Sequence, residues 1–337
     1  MAAPRPPVTD RPALDASVAA VRTAVRRLLT AARAEGHLDG GDLAVAVSGG
    51  ADSLALAAGA QHVAASAGLR LHGLVVDHGL QAGSAEVARR AAEQLAGLGL
   101  HRVRVLPVEV TGPGGPEAAA RRARYAALRS ALPTPDALVL LGHTRDDQAE
   151  TVLLGLGRGS GPRSIAGMRP LDPPLARPLL GVSRATTEAA CAALGLVPWS
   201  DPHNADPTFT RVRLRTEALP LLEDVLNHGV ADALARTAAQ LREDCDALDA
   251  LADDLFAEAT RGDTLDVAVL AGAPAALRRR ALRGWLRGLG VRQLTDAQLR
   301  SVDALVGEWR GQGGVWLPGG LVARRAHGRL CVDPTES

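Results

Sequence analysis

The stretch Ser48-Gly49-Gly50-Ala51-Asp52-Ser53 constrains what this chain can fold into more than any other. In front of it runs Leu43-Ala44-Val45-Ala46-Val47, short, apolar and rich in Val. Behind it runs Leu54-Ala55-Leu56-Ala57-Ala58, built from strong helix formers. The order is therefore buried strand, glycine loop, helix. Gly49 and Gly50 let the backbone turn sharply and come close to a ligand. The free N–H groups and positive dipole end of the following helix then favour an anion such as phosphate. Ser48 and Ser53 offer hydroxyl donors. Asp52 repels phosphate unless a cation such as Mg²⁺ lies between them. A plain Ser/Gly turn with Asp52 as helix cap would need no ligand. The strand before and the helix after argue for the ligand.

The polar clusters downstream repeat this placement. A second strand, from Leu69, ends in Asp77-His78-Gly79-Leu80. A third runs from His101 to Val110, and a fourth from Ala137 to Leu141 ends in Gly142-His143. Helices are expected between them over 84–95 and 117–132, and after them over 146–156. An amphipathic helix over 15–36 precedes the first strand, with Val18, Val21, Val25 and Leu28 or Leu29 on one face. Alternating strands and helices predict an α/β fold, a doubly wound and mostly parallel sheet. Ligands in such sheets bind beyond the carboxyl ends of the strands, and each of these clusters falls there.

Residues 157–182 form a Gly/Pro/Arg-rich connection. A helix over 183–194, irregular chain with Trp199, Asp201 and Asn204, and Arg211-Val212-Arg213-Leu214-Arg215 follow. If extended, the last segment puts three arginines on one face. If helical, it pairs Arg211 with Arg215. Beyond residue 225 the pattern becomes helical: 231–260, an Arg-dense 277–289 and 296–308, then a small β-hairpin around Leu317-Pro318-Gly319-Gly320. The expected organisation is a mobile extension over 1–14, a catalytic domain over 15–225 and a smaller, mainly helical domain over 226–337.

The bulk numbers set bounds. A chain of 337 residues can bury a sizeable core and hold two domains. Net charge is +1, so the whole molecule is not a polycation, yet every basic residue besides histidine is Arg, which suits bidentate phosphate contacts. Aromatics are 2% of residues, too few for many base-stacking platforms. Cys191, Cys245 and Cys331 form no C-x-x-C pair, which fits a reducing cytoplasm. No apolar run is long enough to span a membrane, so no membrane partner is expected.

Asp146-Asp147-Gln148-Ala149-Glu150-Thr151 opens the helix after the fourth strand. Asp147 and Glu150 stand at i, i+3, and Asp146 and Glu150 at i, i+4. Acids often cap a positive helix end. Three are more than capping needs, and a cationic ligand would relieve their repulsion.

Taken together, these residues resemble the tRNA(Ile)-lysidine synthetase family of the PP-loop ATP pyrophosphatase superfamily. The match runs through Ser48–Ser53, Val76-Asp77-His78-Gly79-Leu80, Arg121-Arg122-Ala123-Arg124-Tyr125, Gly142-His143 and Asp146–Leu154. It continues in Arg158-Gly159-Ser160-Gly161, Arg177-Pro178-Leu179-Leu180 and Arg211–Arg215. It is strong over 40–225 and looser beyond. Arg145 and Val212 depart from the residues the family often has there.

The resemblance implies a ligase using ATP and Mg²⁺ on an isoleucine tRNA with a CAU anticodon. ATP adenylates the oxygen on carbon 2 of the wobble cytidine, and free L-lysine then displaces AMP to give lysidine. Ser48, Gly49, Gly50, Ala51, Asp52 and Ser53 would hold ATP, with Asp52 on Mg²⁺ and Asp77 and His78 near the base or sugar. Asp146, Asp147 and Glu150 would bind the lysine ammonium, and one of them or His143 would take its proton. Arg122, Arg124, Arg211 and Arg215 would meet the α-phosphate or the tRNA backbone. Arg278, Arg279 and Arg280 offer further tRNA phosphate contacts. Whether the enzyme is a homodimer stays open. The alternatives are a tRNA thiolase, which would need paired cysteines, a small-molecule amide-forming synthetase, or a non-catalytic ATP- or RNA-binding module.

Overall fold

The structure is a computed structural model that describes residues 14–79, 83–112, 115–159, 161–201 and 206–335. Most of the Pro-rich N-terminal extension, together with Leu80, Ser160 and Asn204, lies outside these residues. The chain divides into two compact units, Met1–Ala239 and Gln240–Ser337. The expected boundary near residue 225 falls shortly before this division.

In the first unit the chain runs α1 (Ala16–Ala34), β1 (Asp42–Val47), α2 (Ala51–Ser66), β2 (Arg70–Asp77), α3 (Ser84–Gly97) and β3 (Arg102–Pro107). Then come α4 (Gly115–Ser130), β4 (Leu138–Leu141), α5 (Arg145–Arg158), a short α6 (Pro162–Ile165), β5 (Leu171–Asp172) and β6 (Leu175–Ala176). The sheet order is β3-β2-β1-β4-β6-β5, parallel throughout except for β5. β1 therefore sits between β2 and β4, with Val45 in register with Gly73 on one side and Leu140 on the other. Strands covered on both faces read as unbroken apolar runs, and β4 is buried at every position. The connection over 157–182 is not bare loop, because β5 and β6 extend the sheet edge within it.

Strand order reverses between β1 and β4, so the crevice beyond their carboxyl ends is the expected ligand position. The predicted apolar stripe of α1 is buried through Val18, Val21, Val25, Leu28 and Leu29. The unit continues through α7 (Arg184–Ala193), α8 (Thr210–Arg213), a π-helical turn over Leu214–Ala218 and α9 (Leu219–Val225). The Arg211–Arg215 segment is thus helical, and Val212 is buried within it.

α10 (Val230–Ala259) spans the division. The second unit adds β7 (Thr260–Arg261), β8 (Thr264–Asp266), α11 (Val267–Ala271), α12 (Ala275–Gly288) and α13 (Asp296–Gly307), then β9 (Val315–Leu317), β10 (Leu321–Ala326) and β11 (Arg329–Pro334). Its antiparallel sheet has the order β7-β8-β11-β10-β9. The expected small hairpin is thus part of a five-stranded sheet. β7 and β8 are two and three residues long, too short to show a period of two in sequence. Leu265, Leu282, Trp285, Leu299, Leu305 and Leu330 are among the side chains of its core. Among the described residues no helix is long and apolar enough to cross a membrane.

Candidate active site

The glycine loop leaves β1 at Val47 and enters α2 at Ala51. Gly49 has φ +88°, a left-handed conformation that costs a side-chain-bearing residue energy. Gly50 is the N-cap and makes no side-chain cap bond, so no side chain satisfies the N–H groups of the first turn. The Ser53 hydroxyl does not point to a ligand as expected. Its Oγ accepts the Ser48 N–H at 3.2 Å and donates to the Gly50 carbonyl at 2.9 Å, closing the loop from within. The Trp199 N–H pins the Gly49 carbonyl at 2.9 Å. At the end of β4, a Cβ on Gly142 would stand 3.0 Å from Ser53 N and Cα, so glycine there lets the two strand ends close together.

Asp52 lines the cleft within a polar cluster. The Thr187 hydroxyl donates to its Oδ1, and Arg184 Nε lies 3.3 Å from its Oδ2. Burial raises the Asp52 carboxyl above its ordinary range, opposed by Thr187 and Arg184. The other arm of Arg184 donates to Asp147 Oδ1 at 3.0 Å. Its backbone N–H donates to Asp146 Oδ2 at 2.9 Å.

The three acids of α5 therefore separate in role. Asp146 caps the start of α7. Asp147 closes a capping box with Thr144, whose N–H donates to Asp147 Oδ2 at 2.8 Å. Burial would raise Asp147, but Arg184 and the Thr144 N–H outweigh it and hold the carboxyl below its ordinary range. Glu150 is fully buried and accepts from Arg215 Nε at 2.7 Å. Arg211 stands 3.6 Å from Glu150 Oε2, an atom without a hydrogen-bond partner. Arg215 also stands 3.6 Å from Asp147. Burial raises the Glu150 carboxyl against the pull of Arg215. The expected open trio of carboxylates is corrected: of the three only Asp147 lines the cleft, and it too is held, by Arg184 and Thr144, while Asp146 caps α7 and Glu150 is buried under Arg215.

That cleft encloses about 950 Å³, within the size range of small-molecule sites. Its walls bring together Ser48, Gly50, Ala51, Asp52 and Ser53 with Asp77, His78, Arg124, His143, Asp147, Arg184 and Arg215. Asp77 Oδ1 accepts the Gly79 N–H at 3.0 Å. Burial and Arg124 lower the His78 imidazole. Burial also pushes His143 down to about 4, despite the Asp147 charge beside it, so its ring is neutral at pH 7. Among the described residues, the Nδ1 atoms of His78 and His143 and the Nε of Arg124 are buried without a hydrogen-bond partner. Arg122 is not among the cleft-lining residues. Arg145 turns away and pairs with Asp232 at 2.5 Å, so its charge is neutralised within the unit.

The residues fit a magnesium nucleotide. Mg²⁺ is usually held by one or two carboxylates with phosphate and water completing the shell; Asp52 would be such a carboxylate beside an uncapped helix end, sharing its oxygens with Thr187 and Arg184.

In the second unit the three neighbouring arginines differ from expectation. Arg278 is buried and donates to Asp303 at 2.5 and 3.2 Å, which corrects its reading as a phosphate contact. Arg279 shares Asp303 at 2.8 Å, and Arg280 pairs with Asp249 at 2.9 Å. Arg184 and Thr187 are functional neighbours of Asp52 that the sequence does not mark. They lie 132 and 135 residues from Asp52, and nothing in their local sequence marks them except Ser183 as an N-cap.

Residues 21–222 match the family model described as the PP-loop domain, and residues 265–331 match the TilS substrate binding domain. Curated relatives described as tRNA(Ile)-lysidine synthase include that of Nocardia farcinica, 60% identical over 298 residues, covering 86% of this chain and 91% of the relative. That of Rhodococcus jostii is 57% identical over 317 residues, covering 93% and 94%. That of Mycobacterium tuberculosis is 55% identical over 301 residues, covering 87% and 91%. Among solved structures, the U34-tRNA thiolase NcsA of Methanococcus maripaludis aligns with a TM-score of 0.54. Its identity is 16%, over 67% of this chain and 80% of that one; what the two share is the fold.

Proposed function

Because the chain belongs to the tRNA(Ile)-lysidine synthase family, it is an ATP-using ligase that forms a carbon–nitrogen bond, and we propose how its cleft divides that work. The observation that carries the assignment of roles is the meeting of two walls at the β1/β4 edge. One is the uncapped start of α2; the other holds Asp147 and His143.

ATP lies along the first wall. The N–H groups of the α2 first turn bind its phosphates, and Asp77 and His78 meet its base or sugar. Asp52 would hold Mg²⁺, which would supply positive charge to offset that of the departing pyrophosphate. The wobble cytidine of the CAU anticodon sits in a single-stranded loop, from which a base can splay into a pocket. Its carbon 2 oxygen attacks the α-phosphate, pyrophosphate leaves, and Arg124 offsets the charge that develops.

Lysine lies along the second wall. Asp147 receives its ammonium, and Glu150 holds Arg215 and Arg211 in place behind. The ε-amine has a solution pKa of about 10.4 and must lose a proton before it attacks. Asp147 or His143 receives that proton and passes it to solvent; the His143 ring is neutral at pH 7, but burial, which holds it down to about 4, makes it a weak base. The amine bonds to carbon 2, the bond from carbon 2 to the adenylate oxygen breaks, and AMP departs. Arg122, Arg279 and Arg280 bind tRNA phosphates outside the cleft, and the enzyme works in the cytoplasm.

The test supplies ATP, Mg²⁺ and lysine with tRNA(Ile) carrying CAU, or with a methionine tRNA carrying the same anticodon. Pyrophosphate release and lysine incorporation are expected with the first alone. Incorporation without tRNA, or of another amino acid, contradicts the reading.

A further inference from the structure

The antiparallel sheet of the second unit has one face in the core and one outside it. On β9 and β10, Leu317 and Ala323 belong to the core, with Val315 and Leu321 packed against it. Side chains alternate along a strand, so Trp316, Val322 and Arg324 share the opposite face. The register agrees: Trp316 pairs with Val322. A Cβ on Gly314 would stand 2.5 Å from Val322 Cγ1 and 2.8 Å from Arg324 Cγ. The bare glycine therefore makes room for both side chains at the β9 edge.

Trp316 is 70% exposed. The other tryptophans are used elsewhere: Trp285 in the core, Trp199 in the cleft wall and Trp309 under Arg325 at 5.0 Å. Among the described residues no ring or guanidinium stacks on Trp316. The surrounding chain has one sign of charge. From Trp309 to Arg329 it carries Arg310, Arg324, Arg325 and Arg329 and no carboxylate. Asp333 shares the outer face one strand further in, across Val322 from Trp316.

An exposed indole beside a guanidinium, in an acid-free stretch, matches the chemistry of an unstacked base and its phosphate. We propose that Trp316 is a stacking platform for an unpaired tRNA nucleotide, with Arg324 on the adjoining phosphate. The inference rests on the reading that tRNA is the substrate, and it names the surface in this unit that holds it. The four arginines from Trp309 to Arg329 outnumber Asp333 on this surface, which favours a polyanion over a second copy of the chain as occupant.

The test compares Trp316→Ala, Trp316→Phe, Trp316→Leu and Arg324→Gln in the full chain. It measures tRNA KM and its salt dependence, the KM for lysine, and kcat at saturating tRNA. Each position is exposed, so thermal melts should match the parent. Loss of one base stack should raise the tRNA KM of the Ala variant about tenfold. Phe should restore most of this and Leu should not. Arg324→Gln should flatten the salt slope. Lysine KM and saturated kcat should hold, which keeps the outcome separate from the lysidine reading: a parent enzyme that makes no lysidine fails that reading instead. An unchanged tRNA KM in the Ala variant overturns the proposal. Equal rescue by Leu overturns stacking. A dimer in sedimentation that Trp316→Ala dissociates, with tRNA KM unmoved, assigns the face to self-association and overturns it as well.

Discussion

Arg184 Nε lies 3.3 Å from Asp52 Oδ2 and ties the first turn of α7 to the first turn of α2. The same guanidinium reaches Asp147, so one cation serves both walls of the cleft. Removing it leaves two half-buried carboxylates facing each other. Arg184→Gln should lose about 1.5–3 kcal/mol of stability, the worth of hydrogen bonds to a charged group. Asp52→Asn should cost less in that background than alone, with a coupling of about 1 kcal/mol. Urea midpoints of the four proteins measure this, and strictly additive losses would contradict the bridge.

Asp52→Asn alone should fold, because its amide can still meet Thr187, and should nearly abolish tRNA-dependent pyrophosphate release. Near-parental turnover in a folded variant would remove Asp52 from the mechanism.

Arg278 and Asp303 are buried together, so the variants at 278–280 should split. Arg278→Ala strands a buried carboxylate, though Arg279 still touches it, and should cost about 3 kcal/mol. Arg279→Ala and Arg280→Ala, on more exposed side chains, should lower the salt slope of tRNA binding with smaller stability losses. Equal melts for all three would contradict the burial; an unmoved slope would confine Arg279 and Arg280 to their carboxylate partners.

Asp42 sets an acid limit to stability. The Arg70 hydrogen bonds first, then the His72 contact, hold its carboxyl down to about 2 from an ordinary 3.8. A folded value below the unfolded one gives stability that is present above about pH 4 and lost as pH falls through about 2. The difference in urea midpoint between parent and Asp42→Asn should therefore hold down to about pH 4 and shrink from there to 2. A difference that ignores pH over that window would contradict the assignment.

The parallel sheet was legible because β1 and β4 are nearly unbroken apolar runs, β2 has an apolar centre and β3 alternates Val with Arg, each followed by helix formers. The sites at their carboxyl ends followed from topology. That topology brings the glycine loop, His143 and Asp147 to one cleft. Burial direction was not legible. Glu150 stands one helical turn from Asp147 on the same helix, yet its carboxylate lies in the interior, and the distant Arg215 and Arg211 explain how it is tolerated there. Arg278 sits in an Arg-dense helix that reads as solvated until Asp303 is seen beneath it. Arg184 and Thr187 depend on contacts across more than 130 residues, which no local pattern encodes.

In the proposed mechanism Asp147 receives the lysine amine while ATP is activated on the opposite wall. Adenylation needs no amine, so the two steps separate in a single-turnover assay with labelled ATP and labelled lysine. Asp147→Asn should release pyrophosphate near the parental rate, with lysine affinity or transfer reduced roughly ten- to a hundredfold, the loss of one charge-assisted contact. Glu150→Gln should weaken transfer less, since it acts through Arg215. If Asp147→Asn uses lysine as well as the parent does, the carboxylate is a helix cap and the lysine site lies elsewhere.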